Sequence, residues 1–260
     1  MVSLRFSEQE LADRRTRITQ FIADTAEAAG TDAAIIGMSG GIDSSLTAAL
    51  AVDALGSDAV LGMSMPAAVS GERHQTDADQ VADWLGIQYK TVDVEPIVAA
   101  VDQAYPDGAL DRLARGNTRA RVRAVLAYAV ANNDGGVVLG TGNRTEALVG
   151  YFTKFGDGAV DCHPIGNLYK CQVRQLAHLL GVPEDIIEKP PTAELWEDQS
   201  DEDELGIGYD TLDTILALHI DGPLSAEATA ETIDCPRETI ERIEELVATS
   251  THKRNVPPTP

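Results

Sequence analysis

The chain has 260 residues, 42 of them acidic against 20 basic, for a formal net charge of -22. Such a surface repels nucleic acid and anionic membranes, no apolar run approaches the roughly 18 residues that cross a bilayer, and Met1 to Arg17 lacks a signal-peptide core. A cytoplasmic protein is expected. Cys162, Cys171 and Cys235 show no CxxC spacing and the His are scattered, so neither a disulfide framework nor a zinc site is signalled.

Ser7 to Ala29 reads as an amphipathic helix, with Ser7 and Glu10 at capping-box spacing and Leu11, Ile18, Phe21 and Ile22 forming a stripe. Ala33 to Met38 is an apolar run of strand length that breaks at Ser39-Gly40-Gly41-Ile42-Asp43-Ser44-Ser45, and Ser44 to Leu55 reads as helix. Ala59 to Met65 is a second strand stopped by Pro66. Glu72 to Leu85 is a helix ending at Gly86, and Ile87 to Val94 a third strand. The helix Glu95 to Ala104 and a turn at Tyr105-Pro106-Asp107-Gly108 lead into Leu110 to Asn132, a long helix expected to break or restart near Gly116-Asn117. Gly136 to Gly140 is a fourth strand.

Beyond it, Tyr151 to Pro164 reads as a site loop and Lys170 to Leu180 as a helix. Residues 189–208 form a long polar stretch expected to order on binding. Tyr209 to His219 and Pro236 to Ser250 are two last helices before a basic tail, Thr251 to Arg254. Strands alternating with helices, with no repeat or linker, predict one α/β domain over 1–260, a doubly wound, mostly parallel sheet with helices on both faces. Ligands then bind at the carboxyl ends of the strands, where the 39–45 loop and Thr141-Gly142-Asn143 lie.

Strand, glycine turn and helix start place free backbone N–H groups around one point, where the helix dipole favours an anion. The loop has no Lys and is not the G-x-x-x-x-G-K-[ST] nucleotide loop. Asp43 stands where phosphate oxygens would crowd, an arrangement that calls for a divalent cation, Mg²⁺ being the usual hard choice. The turn alone fits equally an ordinary strand–helix connection with Asp43 or Ser44 as N-cap. Fifteen of the 20 basic residues are Arg, and so acidic and Lys-poor a surface resembles those of proteins from high-salt cytoplasm. The few cations should therefore concentrate where phosphates bind.

The SGGIDS word resembles the pyrophosphate-gripping loop of the ATP pyrophosphatases that adenylate a substrate, whose sheet is Rossmann-like. Leu139-Gly140-Thr141-Gly142-Asn143-Arg144-Thr145-Glu146, Gly150 to Gly158, Pro164 to Lys170, Lys189 to Trp196 and Asp201 to Gly206 follow in order. Together these words resemble the NAD synthetase family from the first helix to the tail. The resemblance implies ATP-dependent amidation of deamido-NAD to NAD through an acyl-adenylate, with release of AMP and pyrophosphate. It implies free ammonia as donor, since no residues are left for a glutaminase domain, with a separate glutaminase subunit as the alternative source, Mg²⁺ as cofactor, and a homodimer with the 110–132 helix in its interface.

Position by position, the resemblance assigns Gly37, Met38, Ser39, Gly40, Gly41, Ile42, Asp43, Ser44, Thr141, Lys170 and Thr192 to ATP. It assigns Asp43 and Glu146 to magnesium and catalysis, and Asp157 to catalysis beside the ammonia site. Arg121, Lys154, Asp161, His252 and Lys253 fall to deamido-NAD. Residue by residue, blander roles stay open. Glu146 fits a solvated acid in a first helical turn, Thr141 an N-cap, Lys170 a helix-start cation, and Asp157 and Thr192 turn residues. Arg121 fits an ion pair, as Arg119 and Arg123 do still better, Lys154 and Asp161 fit exposed loop charges, and His252-Lys253 a frayed end. Val160, where the family often has Gly, and Pro66-Ala67-Ala68 depart from the pattern in fine contacts. Two other readings remain: a different adenylating ligase of this superfamily, such as GMP synthetase or a tRNA-thiolating enzyme, and a nucleotide-binding sensor without turnover.

Overall fold

Three short apolar strands and one polar edge strand build the sheet at the centre of the molecule. The computed structural model describes residues 4–66, 72–106, 108–191 and 201–259, leaving aside the side chains of 72–75, 202 and 203. In chain order, α1 (Glu8–Ala28) precedes β1 (Ala34–Gly37), α2 (Ile42–Leu55) and β2 (Val60–Ser64). Then come α3 (Glu72–Leu85), β3 (Gln88–Thr91), α4 (Glu95–Ala104), α5 (Arg112–Asp134) and β4 (Val137–Leu139). The second half holds α6 (Arg144–Val149), α7 (Lys170–Leu180), α8 (Glu184–Ile187), α9 (Asp201–Leu205), α10 (Tyr209–Ile215), α11 (Ala226–Ile233) and α12 (Arg237–Arg254).

The sheet order is β3-β2-β1-β4, every pair parallel, with Ile36 opposite both Gly62 and Leu139. Side chains alternate across a strand, so Ala34 and Ile36 join α1, α2 and α7 in one apolar cluster, while Ile35 joins Met63, Val138 and residues of α4 and α5 in another. Both faces of β1 are thus covered, which is why it reads as an unbroken apolar run. A third cluster, with Tyr209, Leu212, Ile215, Ile240 and Ile243, packs α10 and α12 beside α6. Strand order reverses between β1 and β4, the switch point where open parallel sheets bind ligands. This is the Rossmann-like α/β arrangement expected.

The Ser7–Glu10 capping box opens α1 as predicted. Phe21, however, is 46% exposed, and Ile18, Ile22 and Ala26 carry the buried stripe instead. The long helix α5 does not break at Gly116-Asn117. Gly116 is buried within it, and the Asn117 side chain accepts the Thr153 hydroxyl (2.8 Å) rather than competing for the helix backbone. The basic tail is not frayed either: α12 runs on to Arg254, whose guanidinium donates to the Ala147 and Leu148 carbonyls at the end of α6. The helix α11, capped by Ser225, was not expected.

That junction depends on Gly150. Its φ of +72° suits only a residue without a side-chain penalty, and a Cβ there would lie 2.2 Å from Ser250 Cβ on α12. Gly150→Ala combines left-handed strain with overpacking, so a stability loss of about 2–4 kcal/mol is expected. A denaturant titration checks it, and an unchanged midpoint would contradict this packing.

Candidate active site

The phosphate-type loop is shaped by its own hydroxyls. Gly40 takes φ +76°, turning the chain sharply after β1. The Ser39 amide donates to Ser44 Oγ (3.3 Å), the Gly41 amide to Ser39 Oγ (3.2 Å), and both Ser44 and Ser45 hydroxyls donate to the Gly41 carbonyl (3.0 and 2.8 Å). Gly41, not Asp43 or Ser44, is the N-cap of α2, and no side chain caps that helix. Its first amides therefore face the crevice with the dipole's positive end.

Across the switch point, Asn143 caps α6 and forms a capping box with Glu146, so Glu146 sits in that helix's first turn. Thr141 is not the cap; it lines the crevice. Asn143 also reaches back, its Nδ2 donating to Asp43 Oδ1 (2.9 Å) and tying the two loops together. Between the acids lies one ammonium. Lys170 Nζ, at the start of α7, is 2.5 Å from Asp43 Oδ2 and 3.2 Å from Glu146 Oε1, and 5.1 Å from the Tyr209 ring centroid. Only 3% of Lys170 is exposed.

Burial pushes Glu146 up to about 7; Asp43 and Asp201 add to the rise, and Lys170 opposes it. Burial alone would lower Lys170, but the carboxylates of Asp43 and Glu146 outweigh it and hold the ammonium above its ordinary value. Two hard carboxylates thus converge on a single cation position. Among the described residues no group of three or more potential ligand side chains gathers. A cation here would take its remaining oxygens from phosphate and water, as Mg²⁺ usually does.

These groups line a cavity of about 450 Å³ bounded by residues 37–44, the ends of β2 and β4, α5 and the loop after α6. A second, shallower depression of about 340 Å³ adjoins it through Asn117, Phe152, Thr153 and Lys253 and gathers Arg121, Lys154 and His252. There Arg121 donates to the Lys154 carbonyl (3.3 Å), Lys154 Nζ to the His252 carbonyl (2.6 Å), and Lys253 Nζ to the Gly150 and Phe152 carbonyls (2.7 and 3.0 Å). Of the chain's five lysines, four (Lys154, Lys170, Lys189 and Lys253) line these two hollows. Cations are concentrated there, as the charge balance required.

Asp157 is a turn residue that also lines the cavity: its Oδ1 accepts the Thr153 amide (2.8 Å), and burial pushes its carboxyl above the usual range. Asp161 is not brought to the other dinucleotide candidates. Its carboxylate accepts the Val138 amide (2.7 Å) and the Tyr128 hydroxyl (3.0 Å) at the edge of β4, outside both hollows. Thr192 lies outside the described residues, as do Ala67 and Ala68.

Sequence reasoning missed Lys189, Arg123 and Asp201. Lys189 Nζ bonds Asp77 (2.7 Å) beside the Gly40 carbonyl, and Arg123 Nε donates to the Met65 carbonyl (2.9 Å) on the cavity wall. Asp201 accepts the Tyr151 and Tyr209 hydroxyls (3.0 Å each). Its place at the head of the Lys189–Trp196 word and the rarity of lysine were the signals for Lys189. Arg119 is the ion pair expected, 2.6 Å from Glu95.

Comparison with known proteins bears on the whole chain. The family model for NAD synthase matches residues 15–257. An NH3-dependent NAD+ synthetase of Halobacterium salinarum is 56% identical over all of this chain and 97% of its own, and that of Pyrococcus furiosus 47% over 93% and 91%. Among solved structures, an NMN synthetase from Francisella tularensis superposes with a TM-score of 0.83 at 33% identity, covering 98% of this chain and 99% of that one. The NH3-dependent NAD synthetase from Campylobacter jejuni, in complex with nitrate, gives 0.79 at 27% identity over 96% and 98%. A match running through the loop after β1, the acid pair and the α12 terminus alike places the chain in the NAD synthase family.

Proposed function

We propose that this protein amidates the nicotinate carboxylate of deamido-NAD with free ammonia, consuming ATP as co-substrate. The observation that carries this reading is the convergence of Asp43 and Glu146 on one cation position at the mouth of the 39–45 loop. Carboxylate and triphosphate are both anionic and meet only where positive charge offsets their repulsion. The α2 amides and the Ser39 and Ser44 hydroxyls would grip the phosphates, while Lys170 turns from the acids to the phosphate oxygens. Mg²⁺ held by Asp43 and Glu146 would supply the charge neutralisation that lets pyrophosphate depart. The substrate carboxylate then attacks the α-phosphorus to give an acyl-adenylate, and ammonia displaces AMP. Asp157 would hold ammonium and take up its proton beside the activated carbonyl. Arg121, Lys154, His252 and Lys253 suit the dinucleotide's phosphates in the second hollow, and Phe152 and Phe155 offer ring faces there.

The test supplies ATP, Mg²⁺, ammonium and deamido-NAD in molar KCl and follows NAD, AMP and pyrophosphate. ATP binding without NAD would leave a sensor. Amidation of nicotinate mononucleotide in place of deamido-NAD would make the product NMN, the one that the Francisella synthetase is named for. No helix among the described residues is long and apolar enough to cross a membrane, and the acidic surface suits a salt-rich cytoplasm. The whole chain acts as one domain in this reading.

The reading includes a homodimer. Ile97, Val101 and Tyr105 form an exposed i, i+4, i+8 stripe on α4 and the residue after it, and Leu113 and Val125 stand 60% and 66% exposed on α5. In a chain of charge -22, an apolar seam of this kind offsets repulsion between copies. Sedimentation in molar KCl should give twice the chain mass; a fully active monomer would contradict it.

A further inference from the structure

The acid–lysine centre is mounted on short pieces of helix. The helix α6, which carries Glu146, has six residues, too few to hold its own shape. Its position must be imposed from outside, and one buried carboxylate does so. Asp213 on α10 is 0% exposed. Its Oδ1 accepts the hydroxyl of Thr145, the residue before Glu146 (2.5 Å), and its Oδ2 accepts the amide of Cys171, the residue after Lys170 (2.8 Å). The Thr145 hydroxyl oxygen in turn accepts the Lys170 amide (3.0 Å), closing a ring.

We propose that Asp213 is a positioning residue for the reaction: it locks the first turns of α6 and α7 together and so sets the spacing between Glu146 and Lys170. The proposal rests on the reading of that pair as the ATP-facing centre. Asp213 touches neither substrate nor the reacting atoms. Its carboxylate accepts the Cys171 N–H at the positive end of α7, where a negative charge is favoured. Other ties hold the outer parts of α6: Arg144 pairs with Asp221, and Arg254 caps the far carbonyls. The Leu168 carbonyl, just before α7, also accepts the Arg144 amide (2.9 Å), while Asp213, Thr145 and the Lys170 and Cys171 amides tie the two first turns within one residue of Glu146 and Lys170.

Thr145→Val keeps the shape of the side chain and deletes the hydroxyl that joins Asp213 to the Lys170 amide. Outer supports of this kind typically carry about 10–100-fold in activity or metal affinity. In the full chain in molar KCl, Thr145→Val should therefore lower kcat/KM for ATP by about that factor and raise the half-saturating Mg²⁺ concentration. The KM for deamido-NAD should stay near the wild-type value. Thr145→Ser, which restores the hydroxyl, should recover most of the loss. Asp213→Asn, which leaves one acceptor oxygen where the carboxylate uses two, should show the same split if it folds. Thr229→Val removes another buried Thr hydroxyl, one without a hydrogen-bond partner, on α11; it should leave all kinetic constants unchanged.

Wild-type kinetics in Thr145→Val would overturn the proposal. So would an equal fall in kcat/KM for both substrates that tracks the loss of thermal stability, or failure of Thr145→Ser to rescue. If the wild type bound ATP but formed no NAD, the amidation reading would fall, and the ATP affinity of Thr145→Val by calorimetry would still decide the role of Asp213.

Discussion

Asp43→Ala is expected to cut NAD formation by at least about 10²–10³-fold, the usual cost of removing one preorganised group that stabilises transition-state charge. Among the described residues Asp43 and Glu146 are the two side-chain carboxylates that hydrogen-bond the ammonium at the cation position, and the Asp43 side chain is held on two sides, by Asn143 and by Lys170. Without it, the Asn143 amide loses an acceptor, and the loops after β1 and β4 lose the link that spans the switch point. Truncating one partner of a buried pair costs about 3–5 kcal/mol when the other charge is left uncompensated. Lys170 keeps Glu146, so the stability loss should fall below that range and the variant should remain folded. Circular dichroism establishes folding, and the NAD, AMP and pyrophosphate assay reads the chemistry. Undiminished NAD production in a folded Asp43→Ala protein would sink the proposed mechanism.

The parts of this centre differ in how plainly they are written in the chain. The β1–α2 junction is local: an apolar run of strand length, two glycines, then helix formers, and each step follows from periodicity and backbone freedom within a dozen residues. Phe21 misled because a helical stripe gives spacing but not the direction of the core; only packing against α2 and α7 assigns burial to Ile22. Gly116 misled in the opposite sense, since its helix penalty of about 1 kcal/mol is overridden by close packing where it lies buried. Contacts spanning the chain were not legible. Lys189 meets Asp77, Arg123 meets the Met65 carbonyl, and Asp213 meets Thr145, each pair 58 or more residues apart. Nothing in local pattern distinguishes these side chains from surface charges until the sheet order brings them together. Asp161 makes the same point in reverse: its position in the words suits a ligand contact, while the strand register hands its carboxylate to the Val138 amide.

Lys170→Met should raise the KM for ATP, lower kcat, and leave a signature in pH that loss of packing would not produce. Methionine fills the space of the lysine stem, so the chief change is the missing charge between two carboxylates. With Lys170 present, burial already places Glu146 at about 7, above the roughly 4.3 of an unfolded glutamate. Between those values the folded state binds the extra proton, so this group's contribution to stability falls as pH rises through that window. Deleting the ammonium removes the main influence that lowers Glu146, and its folded value moves higher still. The penalty for ionising it then extends to higher pH, and every further tenfold weakening of the acid adds about 1.4 kcal/mol to it. The stability gap between wild type and Lys170→Met should thus be smallest at pH 5, where Glu146 is protonated in both and the loss is that of the Asp43 contact, and widen toward pH 8. The acid limb of the activity profile should move upward for the same reason, since a protonated Glu146 cannot hold a cation. Denaturant midpoints at pH 5, 6.5 and 8 in molar KCl measure the gap. A gap independent of pH would mean that Lys170 does not compensate the acid pair, and the positive charge that ATP binding requires would have to come from elsewhere in the cavity.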